Sequence, residues 1–263
     1  NMKMKKIICI IFCISSINCF SQKGLINYGF IDAKSVGNAK GPDNNSYLVF
    51  NKEQSYFVTA KDSLEQTDKK IEQKSYSNDD DSEGTVYNGI KLSKEGDQVV
   101  YNIKKNTMWS NVLYRKQIYV KEIAPKINWK IENETKKIGK FICKKATTIF
   151  RGRNYTAWFT TEIGVPFGPW KLNGLPGLIL EAYDTNKSVY WYFKSVEYPT
   201  KTKEKVKYMT IPKKEKFLTY EDFKELQKKE QDIVIEKSMV LKKQFPEIEV
   251  IKPKLSVMFI ECE

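Results

Sequence analysis

The sequence predicts a mainly β fold (α+β in detail), an antiparallel sheet with one long C-terminal helix, and three observations point there. Short segments alternate apolar and polar residues, they follow one another at hairpin spacing, and one stretch near the end has helical periodicity. Alternation marks half-buried strands because successive side chains leave a strand on opposite faces. It predicts strands over Leu25 to Ile31, Ser46 to Phe50, Ser55 to Thr59 and Val99 to Ile103, all enriched in aromatic and β-branched residues. A longer extended stretch, Met108 to Val120, is expected to pair with Lys126 to Asn133. Phe141 to Phe150 and Tyr155 to Glu162 follow, with Gly139 in the turn before Phe141. Successive hairpins make an antiparallel meander the expected topology.

Leu178 to Tyr183 and Lys187 to Tyr198 add two strands; in the second, Val189, Trp191 and Phe193 face one way and Tyr190 and Tyr192 the other. Large rings on both faces imply that one face meets the core and the other a loop, a helix, a partner or a ligand. Thr219 is read as the N-cap of a lysine-rich amphipathic helix, with Asp222 three residues on. The helix carries Phe223, Leu226, Ile233 and Met239 and ends near Phe245, before Pro246. A last strand is expected from Leu255 to Ile260, with Cys262 at its end.

At the start of the chain Lys3, Lys5 and Lys6 precede the apolar run Ile7 to Ile17, the pattern of a secretory signal. The run is about eleven residues, whereas crossing a bilayer takes roughly twenty, so residues 1–21 read as a leader cleaved after Ser21 and not as an anchor. The expected mature chain, residues 22–263, is a single β-rich domain with no transmembrane span. Its expected location is the periplasm or the periplasmic face of the outer membrane. The lipoprotein alternative, with Cys19 acylated, is disfavoured by Asn18, where such signals want a small residue. Between Lys61 and Gly84 the chain is highly polar and reads as a surface loop; its Asp79-Asp80-Asp81 run lacks the hinged, glutamate-closed pattern of a calcium site.

Forty-five basic and thirty-two acidic residues give a net charge of +13, which suits attraction to anionic envelope polymers. The lysines are scattered and the chain is read as exported, so no nucleic-acid partner is expected. There is no histidine, which excludes Ser-His-Asp and Cys-His catalysis and histidine-bearing zinc motifs. No phosphate-binding loop or dinucleotide fingerprint is present, and neither a metal nor a cofactor is expected. Once the leader is removed only Cys143 and Cys262 remain. They are a disulfide candidate in an oxidising compartment, with two free thiols or a soft-metal (copper) pair as alternatives. Glu162 and Glu181 flank the Pro- and Gly-rich centre and form the pair on which a carboxylate-dependent hydrolase would rest.

That centre runs Gly168-Pro169-Trp170-Lys171-Leu172-Asn173-Gly174-Leu175-Pro176-Gly177-Leu178-Ile179-Leu180, and it reads as an ordered apolar loop entering a strand, with Trp170 and Leu175 folded back over the sheet. Here the chain resembles the GLPGLI family of Bacteroidota envelope proteins, named for the residues found at Gly174 to Ile179. The likeness extends back through Trp129, Ile138-Gly139, Cys143, Lys145-Ala146, Arg151-Gly152-Arg153, Tyr155, Ala157-Trp158, Glu162-Ile163 and Gly168-Pro169, and covers roughly residues 110 to 198. The resemblance implies a secreted or periplasmic β-rich protein with no established activity. It also implies a shape similar to open half-barrel lipid and lipoprotein carriers, where a curved sheet holds helices or ligand in its concavity. Association of some relatives with TonB-dependent outer-membrane receptors implies an accessory role in uptake. The expected function is therefore non-enzymatic: binding an outer-membrane receptor, another envelope protein, or an apolar or lipid ligand on a concave aromatic face. Trp158, Trp170, Leu175, Tyr190 and Tyr192 are the binding candidates.

Overall fold

Alternating side chains need a sheet to share their apolar face, and here a single antiparallel sheet gathers all of them. The computed structural model describes residues 22–34, 41, 43–60, 96–114, 116–208 and 215–263; residues 1–21, read from sequence as a leader, and the polar stretch from Lys61 to Gly84 lie outside the described residues. The strands are β1 (Gly24–Asp32), β2 (Asp43–Phe50), β3 (Gln54–Ala60), β4 (Asp97–Asn102), β5 (Thr107–Tyr114) and β6 (Lys116–Ile123), then β7 (Lys130–Ile138), β8 (Phe141–Phe150), β9 (Arg153–Thr160), β10 (Leu178–Asp184) and β11 (Val189–Glu197). Their order is β6-β5-β4-β3-β2-β1-β11-β10-β9-β8-β7. Two meanders thus meet where β1 pairs with β11, and the sheet is open, with β6 and β7 at its margins.

Both margins are protected in the ways edge strands require. Leu218 adds beside β6 as a parallel bridge to Val120: its N–H donates to Tyr119 O at 2.8 Å and its carbonyl accepts from Lys121 N–H at 2.9 Å. The β7 margin is mostly exposed and carries alternating charge, Lys130, Glu132, Glu134 and Lys136.

One face of the sheet, the inner face, bears the main core, which runs from Ile26, Tyr28 and Phe30 through Leu48, Phe57 and Val99 to Tyr155, Ala157, Ala182 and Trp191. A smaller cluster on the other face of β1–β4, Leu25, Tyr47, Val49, Tyr56, Val58 and Val100, is covered by Val206. The covering strand of backbone is tied down by Lys23 Nζ, which donates to Thr202 O at 2.6 Å and Glu204 O at 2.7 Å, and by Gln54 Nε2 to Lys207 O at 3.0 Å.

Three expectations are corrected. Met108 to Val120 is not one strand; it divides into β5 and β6, which pair antiparallel with Tyr114 opposite Lys116. Nor does it pair with Lys126 to Asn133: β7 bonds only β8 and lies at the opposite margin. The alternation runs unbroken across this boundary, with no Gly, Pro, Asn or Asp to punctuate it. The expected strand over Leu255 to Ile260 is instead a one-turn helix, α2 (Leu255–Met258), after the long helix α1 (Tyr220–Gln244).

Helix α1 begins as expected. Thr219 caps it, its hydroxyl accepting from Asp222 N–H while the Asp222 carboxylate accepts from Thr219 N–H, which satisfies two otherwise unpaired groups. Only its first half docks, through Phe223, Gln227 and Gln231; Met239, expected on the apolar face, is 54% exposed. No helix among the described residues is long and apolar enough to cross a membrane.

Candidate functional site

The segment between β9 and β10 closes the inner face. It is ordered by its own backbone: Leu178 N–H donates to Ile163 O, Ile179 N–H to Phe167 O, Gly174 N–H to Pro166 O and Gly177 N–H to Leu175 O, all at 2.8–3.0 Å. Gly177 is required by space, since a Cβ there would lie 2.1 Å from Thr160 O. Trp170 turns back onto the sheet and stacks on Trp191 at 5.9 Å, and Trp191 stacks on Phe30 at 5.3 Å. Phe150 and Tyr155 pack around Trp170 at 5.8 and 6.3 Å.

Beside Trp170, Lys171 is fully buried, an environment a cation enters only with partners. Its ammonium hydrogen-bonds Glu122 on β6 at 2.7 Å and forms an ion pair at 2.6 Å with Glu261 near the C-terminus, whose carboxylate oxygens make no hydrogen bond among the described residues. Arg151, also buried, completes the group by pairing with Glu122 and approaching Glu261 at 3.5 Å. Burial opposes the Arg151 charge, yet Glu261 and Glu122 hold its pKa above the ordinary value. Its guanidinium lies over the Tyr220 ring, 3.3 Å from the centroid, and burial followed by the Glu261 charge raises the Tyr220 phenol. Two cations and two anions thereby join margin strand β6, the β8–β9 turn, the central loop, the helix start and the C-terminal segment.

The resembling triplet Arg151-Gly152-Arg153 acts here as a clamp. Arg151 and Gly152 have φ of 52° and 75°, the left-handed pair a two-residue hairpin needs, and a Cβ on Gly152 would meet the Cys262 backbone at 2.7 Å. Arg153 pairs with buried Asp184 at 2.6 Å and donates to the carbonyls of Ser256, Phe259 and Ile260. Gln227 Nε2 adds a bond to Glu261 O at 2.7 Å. These donors take the carbonyls that a strand would have offered to a neighbour, which accounts for the missing strand over Leu255 to Ile260.

Between sheet, loop, helix and C-terminal segment a cavity of about 280 Å3 remains. Phe30, Phe57, Val99, Trp170, Trp191, Phe223 and Phe259 contribute apolar walls, and Asp32, Lys34, Asp97, Ser110, Asn111 and Glu261 polar ones.

The opposite, outer side of β8–β11 carries a different assembly. Cross-strand register places Lys145, Trp158 and Glu181 in one row, and Thr156, Tyr183 and Tyr190 in the next. Tyr183 meets Tyr190 edge-on at 5.6 Å, and Tyr190 meets Tyr192 at 5.6 Å. Tyr192 lies across Gly29, where any side chain would displace it, and donates to Asp43 at 2.8 Å. Lys136 sits 4.4 Å over Trp158 and bonds Glu181 at 2.9 Å; Lys187 sits 5.1 Å from the Tyr183 and Tyr190 rings. Partial burial and the Glu181 carboxylate push the Tyr190 phenol up to about 12.

The five binding candidates therefore do not share one surface. Trp170 and Leu175 are core residues of the loop on the inner face; Trp158, Tyr190 and Tyr192 point to the outer side, where Trp158 is itself buried beneath Lys136 and only the two tyrosines are partly exposed. Glu162 is exposed and accepts from Ile142 N–H at 3.3 Å, and Glu181 is engaged by Lys136; neither lines the inner cavity. The disulfide expectation is corrected: Cys143 and Cys262 are free. Cys262 N–H bonds Arg151 O, eight residues along the chain from Cys143. At roughly 3.3 Å per strand residue that is about 25 Å, far beyond the roughly 4.4–6.8 Å Cα span of a disulfide and equally beyond a shared metal. Burial pushes the Cys143 thiol up to about 11, so it stays protonated. Among the described residues no group of three or more cysteine or acidic side chains is arranged to hold a metal.

Sequence reasoning missed Glu122, Lys171 and Glu261. The signal available was Lys171 itself, a single lysine inside an apolar Pro- and Gly-rich segment.

Fold and site together define an open-sheet, mainly β domain whose concavity is occupied largely by its own loop. The chain belongs to the family described as N-glycanase peptide, N-terminal domain, whose family model matches residues 32–222. Two solved structures of PNGF-II are similar to it. That in the P21 space group has a TM-score of 0.48 and 16% identity, covering 78% of this chain and 33% of that one. That in the C2 space group has a TM-score of 0.44 and 19% identity, covering 68% and 28%. The chain spans about a third of the length of these structures. No curated protein matches it.

Proposed function

We propose that this chain is a non-catalytic binding domain of the bacterial envelope that holds an uncharged oligosaccharide on the outer face of β8–β11. The observation that carries this is the strip of partly exposed Tyr183, Tyr190 and Tyr192, laid beside Trp158, which is buried beneath Lys136, and interleaved with Lys136, Lys145, Glu181 and Asp43. Sugar rings present apolar C–H faces to aromatic rings, and their neighbouring hydroxyls call for donors and acceptors side by side. Lysines and carboxylates supply both, and they are held in ion pairs at the surface, which exchange partners at little cost. The family description, which names an N-glycanase, supports a glycan as the ligand class. The basic and apolar leader at Lys3 to Ile17 supports export, and a glycan-bearing protein beside an outer-membrane receptor would be a partner consistent with that location.

Titration calorimetry of the full chain with a released, uncharged N-glycan tests this. Saturable binding is expected, weakened about tenfold or more when Tyr190 and Tyr192 are both replaced by alanine, in line with aromatic anchors dominating such contacts. Absence of binding, or binding indifferent to that double replacement, would refute it.

A further inference from the structure

The outer strip leaves the inner cavity unexplained, and three of its wall residues have buried polar atoms without a hydrogen bond among the described residues: Trp191, Ser110 and Glu261, whose carboxylate is met only by the ion pairs described above. Trp191 is 1% exposed and Ser110 2% exposed, and neither the Trp191 Nε1–H nor the Ser110 hydroxyl has a hydrogen-bond partner among the described residues. Buried polar groups in native proteins are nearly always paired, because an unpaired one forfeits its hydration. Both residues line the same cavity of about 280 Å3. Trp191 is fixed in place by its stack between Phe30 and Trp170, so it cannot turn to find an acceptor elsewhere.

We infer that this cavity is a binding site for a small uncharged molecule with an apolar body and a hydroxyl or amide group. An indole N–H only donates, so the ligand must offer an acceptor; the serine hydroxyl can then donate or accept. Charge in the ligand is disfavoured because the charges in the wall are already engaged: Asp32 pairs with Lys34, Glu261 with Lys171 and Arg151, and Asp97 too is engaged. A further buried charge would stay unpaired. The apolar rings of Phe30, Phe57, Phe223 and Phe259 contact the body of the ligand. At roughly 30 Å3 per water the volume equals about nine waters, which accommodates about a dozen non-hydrogen atoms and excludes a two-chain lipid.

Three probes with one body and different heads, phenylbutanol, phenylbutanoate and phenylbutylamine, test the inference by calorimetry on the full chain. Tryptophan fluorescence is a second readout because Trp170 and Trp191 wall the site. Phenylbutanol is expected to bind saturably, with the two charged probes at least about tenfold weaker. Trp191→Phe keeps a stacked ring but removes the donor, and is expected to weaken phenylbutanol about tenfold. Val99→Phe fills the cavity and is expected to abolish binding; if that variant fails to fold, Trp191→Phe decides. Replacing Tyr190 and Tyr192 with alanine leaves phenylbutanol binding unchanged, which separates this site from the outer strip. The inference is overturned if no probe binds, if a charged probe binds best, or if folded Val99→Phe and Trp191→Phe both bind phenylbutanol as the parent does.

Discussion

The molecule contains two groups of ion pairs built from the same residue types, one buried on the inner face and one at the surface on the outer face. Lys171, Arg151, Glu122 and Glu261 are each less than a tenth exposed, while Lys136, Lys145, Glu132 and Glu134 range from about a quarter to more than half exposed. The difference lies in what happens when a partner is lost. Inside, a stranded charge has no water to turn to, so the group acts as an all-or-none fastening between five parts of the chain. Outside, Lys145, Glu132 and Glu134 can each be rehydrated, so their pairs can open for a ligand without loosening the fold, while Glu181, 13% exposed, keeps Lys136 as its partner.

Replacement of one lysine in each group is the strongest way to break that comparison. Lys171→Met is expected to lose about 3–5 kcal/mol in urea unfolding, as for breaking a buried pair from one side, whereas Lys145→Met, whose partners Glu132 and Glu134 stay hydrated, should stay within about 1 kcal/mol. Equal losses would dissolve the distinction. Gly177→Ala acts on the same inner loop by shape alone; the new methyl would meet Thr160 O at 2.1 Å, and about 1–3 kcal/mol is expected in the same assay. The smallest effect concerns the outer strip and alkaline pH. Tyr190 has its pKa raised from 10.0 to about 12, so its neutral form favours the folded state. That contribution is complete below pH 10 and is lost as the pH rises through about 12. Phenolate absorbance should show a late-ionising component that loses one tyrosine's amplitude in Tyr190→Phe; an unchanged titration would mean that Tyr190 is freely solvated.

Much of this architecture was legible because alternation and capping are local. Ten strand positions and the Thr219–Asp222 cap could be read from neighbours within a few residues. Pairing of β1 with β11 could not, since no local signal ties Leu25 to Glu197. The β5–β6 boundary was hidden because Tyr114-Arg115-Lys116 continues the pattern of its flanks. Tyr190 and Tyr192 were placed opposite Trp191 by period two alone. Trp170 could not be assigned to a face, because a Pro- and Gly-rich loop has no period to read. Glu122 and Glu261 were missed for a different reason: a carboxylate in sequence carries no mark of the distant cation that will bury it.

Because the fastening joins residues 122, 151, 171 and 261, the β6 end of the sheet is held to the β8–β9 turn and the central loop only once these distant residues have met. Strands β1–β11 can pair before then, but the inner face stays open to solvent in the meantime. Completion of the native state is therefore a late, long-range event, slow relative to hairpin formation. A chain halted before Glu261 would expose apolar surface and a half-neutralised cationic pair, the condition in which β-rich intermediates associate with one another.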